Sequence, residues 1–245
     1  MQQCVNALAR SRLRCKACFK SLIGGDNLAK RGEKTRQKIL DSAEKLFAKR
    51  GYHGVTIRQI TEDAKVDTAL ANYHFGSKRN LFDAVLLRRA EELNKVRLEK
   101  LEEIEAAAEN GVASLEDIID AFSHPLLDRS ERGGPGWKSY FALIAQINNS
   151  PEWGGKLMTE YFDPLVRRFI AALKRALPEA REEDIYWSYH FFSGALVLTY
   201  AETGRIDNLS DGKVHSSDLD AVQLRMPPFI AAGFRRLCET GGAKN

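Results

Sequence analysis

The chain has 245 residues, of which 44% are hydrophobic, and a formal net charge of +4. This length is sufficient for two domains that each bury a core. Four cysteines and no recognisable export or anchor signal argue against an exported class and predict a cytoplasmic protein with reduced thiols.

Charge is distributed unevenly along the chain. Up to Ala90 there are 19 Lys and Arg against 8 Asp and Glu, whereas the remaining residues have 18 against 25. A basic front half suits a polyanion such as DNA, and an acidic back half suits a domain that stays away from it.

Residues 1–32 have no acidic residue before Asp26 and hold three of the four cysteines. They lack the apolar stretch of a signal peptide, so we expect a basic, disordered arm. Cys15 and Cys18 have the spacing of a metal or redox pair, but with only Cys4 nearby a four-ligand site is incomplete. We therefore expect no metal and no cofactor.

The first predicted helix lies in KTRQKILDSAEKLFAKRGY, residues 34–52. Ile39, Ala43 and Phe47 recur at helical spacing and give it one apolar face. Gly51 fits the position after the last helical residue, and Tyr52 falls where a closing contact back to Phe47 is expected.

Two short helices are predicted next. Thr56 and Gln59 have capping-box spacing at the start of the first. Residues 64–67 suit a tight turn, after which Asp67 can cap a second helix over Thr68–His74. Residues 33–80 are therefore interpreted as a three-helix, helix-turn-helix domain that binds DNA. The alternative is an ordinary helical hairpin with a solvated basic face.

The long helix that follows begins with a pattern suited to an anion. Gly76 can supply the left-handed residue that ends the short helix, and Ser77 can cap the next one. Lys78 then occupies the first helical position, where free amides and the helix dipole already favour an anion. The natural anion for a DNA-binding domain is a phosphate.

The sequence NYHFGSKRNLFDAV, preceded at this spacing by AEKLFAKRGYHGVTIRQIT, resembles the N-terminal DNA-binding domain of the TetR family of bacterial transcriptional regulators. The resemblance covers about residues 34–87. The family places an aromatic, His and Phe before a short turn and a Lys, and the matching residues are Tyr73, His74, Phe75 and Lys78. The resemblance implies that base edges are faced by Thr68, Ala69 and Asn72. It also implies that phosphates are held by Thr56, Tyr73, His74 and Lys78.

Lys65 departs from the family pattern, which usually has Gly in the turn. A left-handed Lys costs about 1 kcal/mol, so we expect a shifted or slightly strained turn. Some family members also contact DNA through a basic arm, and the basic residues of this chain that could do so are Arg10, Arg12, Arg14, Lys16, Lys30 and Arg31.

Residues 81–245 are predicted to form a larger helical domain, entered through a long connecting helix from Ser77 to about Ala108. The next helix starts at Ser114, and Pro125 is expected to bend or end it. A loop is expected at Glu131–Gly136. Further helices are predicted over Trp137–Ile147 and over Leu157–Leu177, the latter interrupted at Pro164.

The segment Ile185–Ala201 contains no charged residue and is apolar almost all round. It is short for a membrane span and includes polar residues, so we expect it to face its own core on one side and a second subunit on the other. Members of the TetR family dimerise through a four-helix bundle, and the resemblance implies a second bundle helix at Leu219–Leu237, kinked by Pro227 and Pro228. The candidate dimer-interface residues are Tyr189, Ser193, Gly194, Val197, Val222, Met226, Phe229 and Ile230.

The resemblance also implies a cavity among the central helices that binds a small hydrophobic effector. The candidate lining residues are Phe122, Trp137, Tyr140, Phe141, Ile144, Met158, Phe162, Trp187 and His190. The phrases YWSYHFFSGALV and MPPFIAAGFR are similar to those of regulators that sense fatty-acyl compounds. His190 could hydrogen-bond a ligand carboxyl or thioester, although a core histidine is the simpler interpretation.

No Gly-rich phosphate loop, nucleophile elbow or metal-binding His pair is present, which argues against an enzyme. The predicted fold is all-α. The predicted function is a homodimeric transcriptional regulator, more typical of a repressor, that binds inverted DNA half-sites and leaves them when it binds a fatty-acyl effector. The alternatives are a regulator of efflux or detoxification that responds to drug-like compounds and, more remotely, an enzyme or a membrane-associated helical protein.

Overall fold

The structure is a computed structural model, and it describes residues 25–151 and 154–240. Over these residues the regular elements are all helices, as predicted. In chain order they are α1 (Gly25–Arg50), α2 (Ile57–Ala64), α3 (Thr68–Phe75), α4 (Lys78–Ala107), α5 (Leu115–Arg132), α6 (Pro135–Asn148), α7 (Gly154–Tyr161), α8 (Asp163–Ala176), α9 (Glu182–Tyr200), α10 (Arg205–Leu209) and α11 (Leu219–Thr240).

The chain divides into two compact units, residues 1–37 and 38–245. In the first unit, the described residues are the start of α1, where the Thr35 hydroxyl donates to the Arg31 carbonyl at 3.0 Å. Residues 25–32 are part of this helix, whereas the sequence predicted that they belong to a disordered arm. The rest of the predicted arm, with its three cysteines, lies outside the described residues.

The start of the second unit is a small helical core around one aromatic cluster. The Phe47 ring meets the Phe82 ring edge-on at 5.1 Å and stacks on Tyr52 at 6.0 Å, so the predicted closing contact is confirmed. Ile39, Leu40 and Ile60 are fully buried beside it. Burial of each such side chain contributes roughly 1.5 to 3 kcal/mol to the stability of this core.

The helix α4 continues from this core into the larger helical part of the unit, where it packs against α5 and α8. The helix α5 packs in turn against α11, and α9 lies against α6, α8 and α11. None of the helices in the described ranges is long and apolar enough to cross a membrane.

The ends of two helices differ from those expected. The helix α5 continues through Pro125 to Arg132. The loop predicted at Glu131–Gly136 is shorter than expected, because only Gly133 and Gly134 lie between α5 and α6. Proline removes one helical hydrogen bond, but Phe122 and Leu126 on either side of it are buried, and this packing maintains the helix.

The other proline expectations have mixed outcomes. Pro164 does separate two helices, because α7 ends at Tyr161 and α8 begins at Asp163 with the proline in its first turn. The helix α11 continues without a break through Pro227 and Pro228.

Candidate nucleic-acid interface

The helix α2 begins with the predicted capping box. The backbone N–H of Gln59 donates to the Thr56 hydroxyl at 3.2 Å, and the Thr56 N–H donates to the Gln59 side-chain oxygen at 2.9 Å. Thr56 is exposed, so the amino end of α2 and its free amides face solvent. This geometry suits a phosphate.

The turn between α2 and α3 has a left-handed lysine, which is the strained one of the two expected outcomes. Lys65 has φ 55° and ψ 48°, and its N–H donates to the Glu62 carbonyl at 3.2 Å. The hydroxyls of Thr61 and Thr68 lie 2.9 Å apart and join the two helices across this turn. The lysine therefore adopts the conformation that the family's usual glycine would take at lower cost.

The helix α2 is anchored to α1 through Asp63. Its carboxylate accepts hydrogen bonds from Lys45 and from the Ser42 hydroxyl, both at 2.7 Å. These bonds, that from Lys45 first, lower the pKa of the Asp63 carboxyl. The helix-turn-helix is thereby held at a defined angle to α1.

The helix α3 divides into a buried and an exposed face. Asp67 caps it by accepting from the Ala69 N–H at 2.7 Å, while Ala71 and Phe75 are buried against the small core. The predicted base-reading residues are exposed on the other side: Thr68, Ala69 and Asn72. Tyr73 is 83% exposed, so its ring and hydroxyl are accessible to a partner.

His74 and Lys78 border this surface. His74 is partly buried, with its ring 5.2 Å from that of Tyr73. Gly76, at φ 74°, ends α3, and the Ser77 hydroxyl accepts from the Asn80 N–H at 3.1 Å to begin α4. Lys78 lies in the first turn of α4, with Nζ 4.2 Å from the centre of the Tyr52 ring, and burial lowers its pKa.

A buried ion pair connects the helix-turn-helix to the larger helical part, and the sequence interpretation missed it. Glu44 of α1 is 1% exposed and accepts from Arg89 of α4 at 2.6 and 2.8 Å and from Arg88 at 2.7 Å. The N-terminus of α6 lies directly on this pair, because a side chain at Gly136 would come within 2.2 Å of Arg89. The sequence signal that could have indicated this pair is Glu44, an acidic residue next to Ala43 on the apolar face of α1.

Most of the candidate effector residues are inside the larger helical part. The buried ones are Phe122, Trp137, Tyr140, Phe141, Ile144 and Phe162, and Met158 is partly buried. Trp137 contacts both Tyr140 at 5.7 Å and Phe141 at 5.8 Å. Phe122 contacts a different set of rings, those of Phe169 and Phe192 at 5.0 and 5.3 Å.

Trp187 and His190 are not inside, which corrects their placement in an effector cavity. Trp187 is 52% exposed and His190 is also exposed, and both rings lie near that of Phe191 on the outer face of α9. The interpretation of His190 as a core residue was wrong for the same reason. Because α9 is apolar on nearly every side, the spacing of its apolar residues could not indicate which face turns inward.

The candidate dimer-interface residues also divide between two faces. Ile230 is buried within the protomer, and the Tyr189 ring turns inward to lie 6.0 Å from Phe122, so both belong to the core. Gly194 is exposed and Phe229 is 74% exposed. The partly exposed members are Ser193, Val197, Val222 and Met226.

An outer face of α9 and α11 carries large apolar side chains in contact with solvent. These are Trp187, Phe191 and Leu198 of α9 and Phe229 of α11, and Leu198 and Phe229 line one groove; we call this set the outer apolar face. A single exposed apolar residue is ordinary, but several on two packed helices mark an interaction surface.

Family profiles match both parts of the chain. Residues 39–85 match "Bacterial regulatory proteins, tetR family", and residues 120–233 match "Tetracyclin repressor-like, C-terminal domain". The chain is 43% identical over 58 residues to the transcriptional repressor NicS of Pseudomonas putida, a match that covers 24% of this chain and 27% of NicS. It is 33% identical over 90 residues to the repressor AcnR of Corynebacterium diphtheriae, covering 37% and 41%. The chain thus spans less than half the length of these curated relatives.

Solved structures match over most of the chain. A TetR-like transcriptional regulator from Rhodococcus sp. RHA1 has a TM-score of 0.56 at 16% identity, covering 86% of this chain and 97% of that one. A transcriptional regulator from Saccharomonospora viridis, solved in complex with choline, has a TM-score of 0.54 at 20% identity, covering 81% and 96%. At these identities the likeness establishes a shared fold.

Proposed function

Because the chain belongs to the TetR family of bacterial transcriptional regulators, we propose that it is a DNA-binding repressor that a small molecule releases from its operator. The observation that carries this proposal is the exposed face of α3, which includes Asn72 and Tyr73, together with the exposed amino end of α2 at Thr56. NicS and AcnR, to which the chain is similar over 58 and 90 residues, are both described as repressors.

In the proposed complex α3 lies in the major groove. Thr68, Ala69 and Asn72 contact base edges, since an Asn amide can bond adenine at two points and methyl groups can pack on thymine. The residues that hold phosphates are Thr56, Tyr73, His74 and Lys78. The side chains that would contact bases are short. Specificity therefore depends on the position and orientation of α3 in the groove, which the phosphate contacts fix.

The proposed repressor is a homodimer joined through the outer apolar face. Two copies related by a two-fold axis would remove Trp187, Phe191 and Phe229 from water, and at about 25 cal/mol per Å² of apolar surface this burial is a substantial driving force. The same axis would present two copies of α3 to an operator with inverted half-sites.

The proposed effector is a hydrophobic molecule of fatty-acyl type, bound among the buried aromatic residues of α5 to α8. The support is the concentration of rings around Trp137, Tyr140 and Phe141, together with the acyl-sensor resemblance of the C-terminal phrases. The competing candidate is a planar drug-like compound, for which the repressor would control an efflux or detoxification gene.

The test is selection of binding sites from random DNA by the full chain, for the wild type and for Asn72→Ala. We expect the wild type to recover an inverted repeat and Asn72→Ala to lose preference at one base pair of each half-site. A wild type that recovers no motif would contradict the proposed function. An unchanged motif from the variant would contradict only the assignment of Asn72.

The effector class is tested separately by mobility shift with the recovered operator. A panel of fatty acids and a panel of drug-like planar compounds are each added to the complex. Release by the first panel supports the acyl assignment, and release by the second supports a detoxification regulator. A ligand can shift the equilibrium only by its preference for one arrangement of the domains, which typically amounts to about 1 to 3 kcal/mol.

A further inference from the structure

A cation lies in the interior of the larger helical part. Arg97 of α4 is 2% exposed and occupies a core position of the helix, between the buried Leu93 and Leu101. Within the described part of the chain its Nε and Nη2 have no hydrogen-bond partner, and none of the ion pairs there includes it. Buried guanidinium groups are normally paired, so this arrangement requires an explanation.

The surroundings of Arg97 are aromatic. Its guanidinium carbon lies 3.6 Å from the centre of the Phe122 ring and 5.8 Å from that of Phe169. Such contacts offset part of the cost of burial, but a ring face cannot accept the in-plane N–H bonds of the guanidinium fork. Burial lowers the pKa of Arg97 to about 10, so the group remains charged at neutral pH.

Tyrosine hydroxyls lie in the same region and also lack partners. Tyr140, Tyr189 and Tyr200 are the groups that interact electrostatically with Arg97. The hydroxyls of Tyr140 and Tyr200 are buried and have no hydrogen-bond partner in the described residues. Their rings both contact that of Phe141, at 5.5 and 4.7 Å. Two hydroxyl donors and a cation therefore lie without hydrogen-bond partners in one apolar interior. An anion could accept hydrogen bonds from all three groups.

We propose that Arg97 binds the carboxylate of the effector, and that the effector is an organic acid with an apolar body. The planar guanidinium matches a carboxylate with two parallel bonds, and the tyrosine hydroxyls of residues 140 and 200 donate to the same group. The apolar body lies against the Phe122 and Phe169 side of the interior. This assignment rests on the proposed function only in identifying the ligand as the effector.

A carboxylate site at Arg97 distinguishes free acids from other acyl compounds, which the proposed fatty-acyl effector includes without distinction. A free fatty or aromatic acid provides the carboxylate, whereas a thioester or an amide of the same acid does not. A cationic ligand such as choline, which is present in the Saccharomonospora viridis structure, would meet a like charge at Arg97.

The experiment measures binding to the full-length chain by calorimetry. The probes are straight-chain acids of about 6 to 16 carbons and aromatic acids, each paired with its primary amide. We expect the wild type to bind at least one acid about tenfold or more tightly than its amide, because charge-assisted bonds to a buried cation are strong. Arg97→Met, which keeps an unbranched apolar side chain without the charge, should reduce that ratio to near one.

Two further sets of variants keep the result interpretable. Arg167→Met removes a mostly exposed arginine on α8 and should leave the ratio unchanged. If Arg97→Met does not fold, Tyr140→Phe and Tyr200→Phe each remove only a hydroxyl, and each should reduce the ratio several-fold. Equal binding of acids and amides, no binding of any acid, or an undiminished ratio in the Arg97 and tyrosine variants would overturn the proposal. If acids bind as expected but leave the DNA complex intact, Arg97 remains the carboxylate site and the effector role in the proposed function fails.

Discussion

Arg89 of α4 and Glu44 of α1 form a two-point ion pair, with Nε to Oε2 at 2.6 Å and Nη2 to Oε1 at 2.8 Å. Gly136 at the start of α6 lies against both side chains, and the Trp137 ring lies 4.7 Å from the Arg89 guanidinium. Tyr140 is about one turn further along α6, and Arg97 is about two turns further along α4. The proposed carboxylate site and the helix-turn-helix are therefore joined by two helices that meet at one ion pair.

The first prediction concerns this ion pair. Glu44→Gln leaves Arg88 and Arg89 without their shared carboxylate, and breaking a buried pair by removing one partner costs about 3 to 5 kcal/mol. The free energy of unfolding from urea titration measures this loss. The matched control is Glu62→Gln, whose partner Arg58 is largely exposed, and it should lower the free energy of unfolding far less. Equal losses in the two variants would show that the buried ion pair stabilises the fold no more than the exposed one.

The second prediction concerns the contact of α6 with the pair. Gly136→Ala introduces a Cβ that would be 2.2 Å from Arg89 Nη2 and 2.9 Å from Glu44 Oε1. We expect a loss of about 1 to 3 kcal/mol, as for other overpacked sites, measured by the same urea titration. Gly155→Ala in α7 is the control, since nothing lies within 4 Å of its added Cβ. A Gly136→Ala protein as stable as the control would contradict the close approach of α6 to the ion pair.

The third prediction concerns phosphate binding. Lys78→Ala should weaken binding to operator and to unrelated DNA by similar factors, because phosphate contacts do not depend on sequence. The slope of log affinity against log salt concentration should fall by about one. Fluorescence anisotropy at several salt concentrations measures both quantities. Lys100→Ala, on the exposed surface of α4, should change neither. A loss confined to operator DNA would argue for a base contact by Lys78 instead.

The fourth prediction concerns the dimer. Gly194→Arg should yield monomers that bind a full operator poorly, because a side chain there has open space within the protomer but would separate the two subunits at α9. Equilibrium sedimentation at micromolar concentration measures the association. Gly155→Arg, equally unobstructed within the protomer, should remain a dimer. A monomeric wild type would contradict the proposed homodimer.

The caps and turns around the candidate nucleic-acid interface could be predicted from the sequence alone. Thr56, Asp67 and Ser77 each cap a helix through an amide two or three residues away, so the information is local. The left-handed Lys65 corresponds to the strained one of the two turns expected there, and that expectation came from the glycine that the family usually has at this position. The all-α class was predictable because apolar residues repeat at helical spacing through most of the chain.

The orientation of the helices in the larger part was decided by the tertiary structure. Trp187 and Ile230 were assigned to the wrong faces, because α9 and α11 are apolar on more than one side and local periodicity cannot distinguish a protomer core from an outer face. Pro125 does not end its helix, which was one of the two expected outcomes, because the packing of the buried residues around it outweighs the lost hydrogen bond. The partners of Glu44 and the isolation of Arg97 depend on residues far away in the sequence. The charges were visible in the sequence, whereas their environments exist only after the helices pack together.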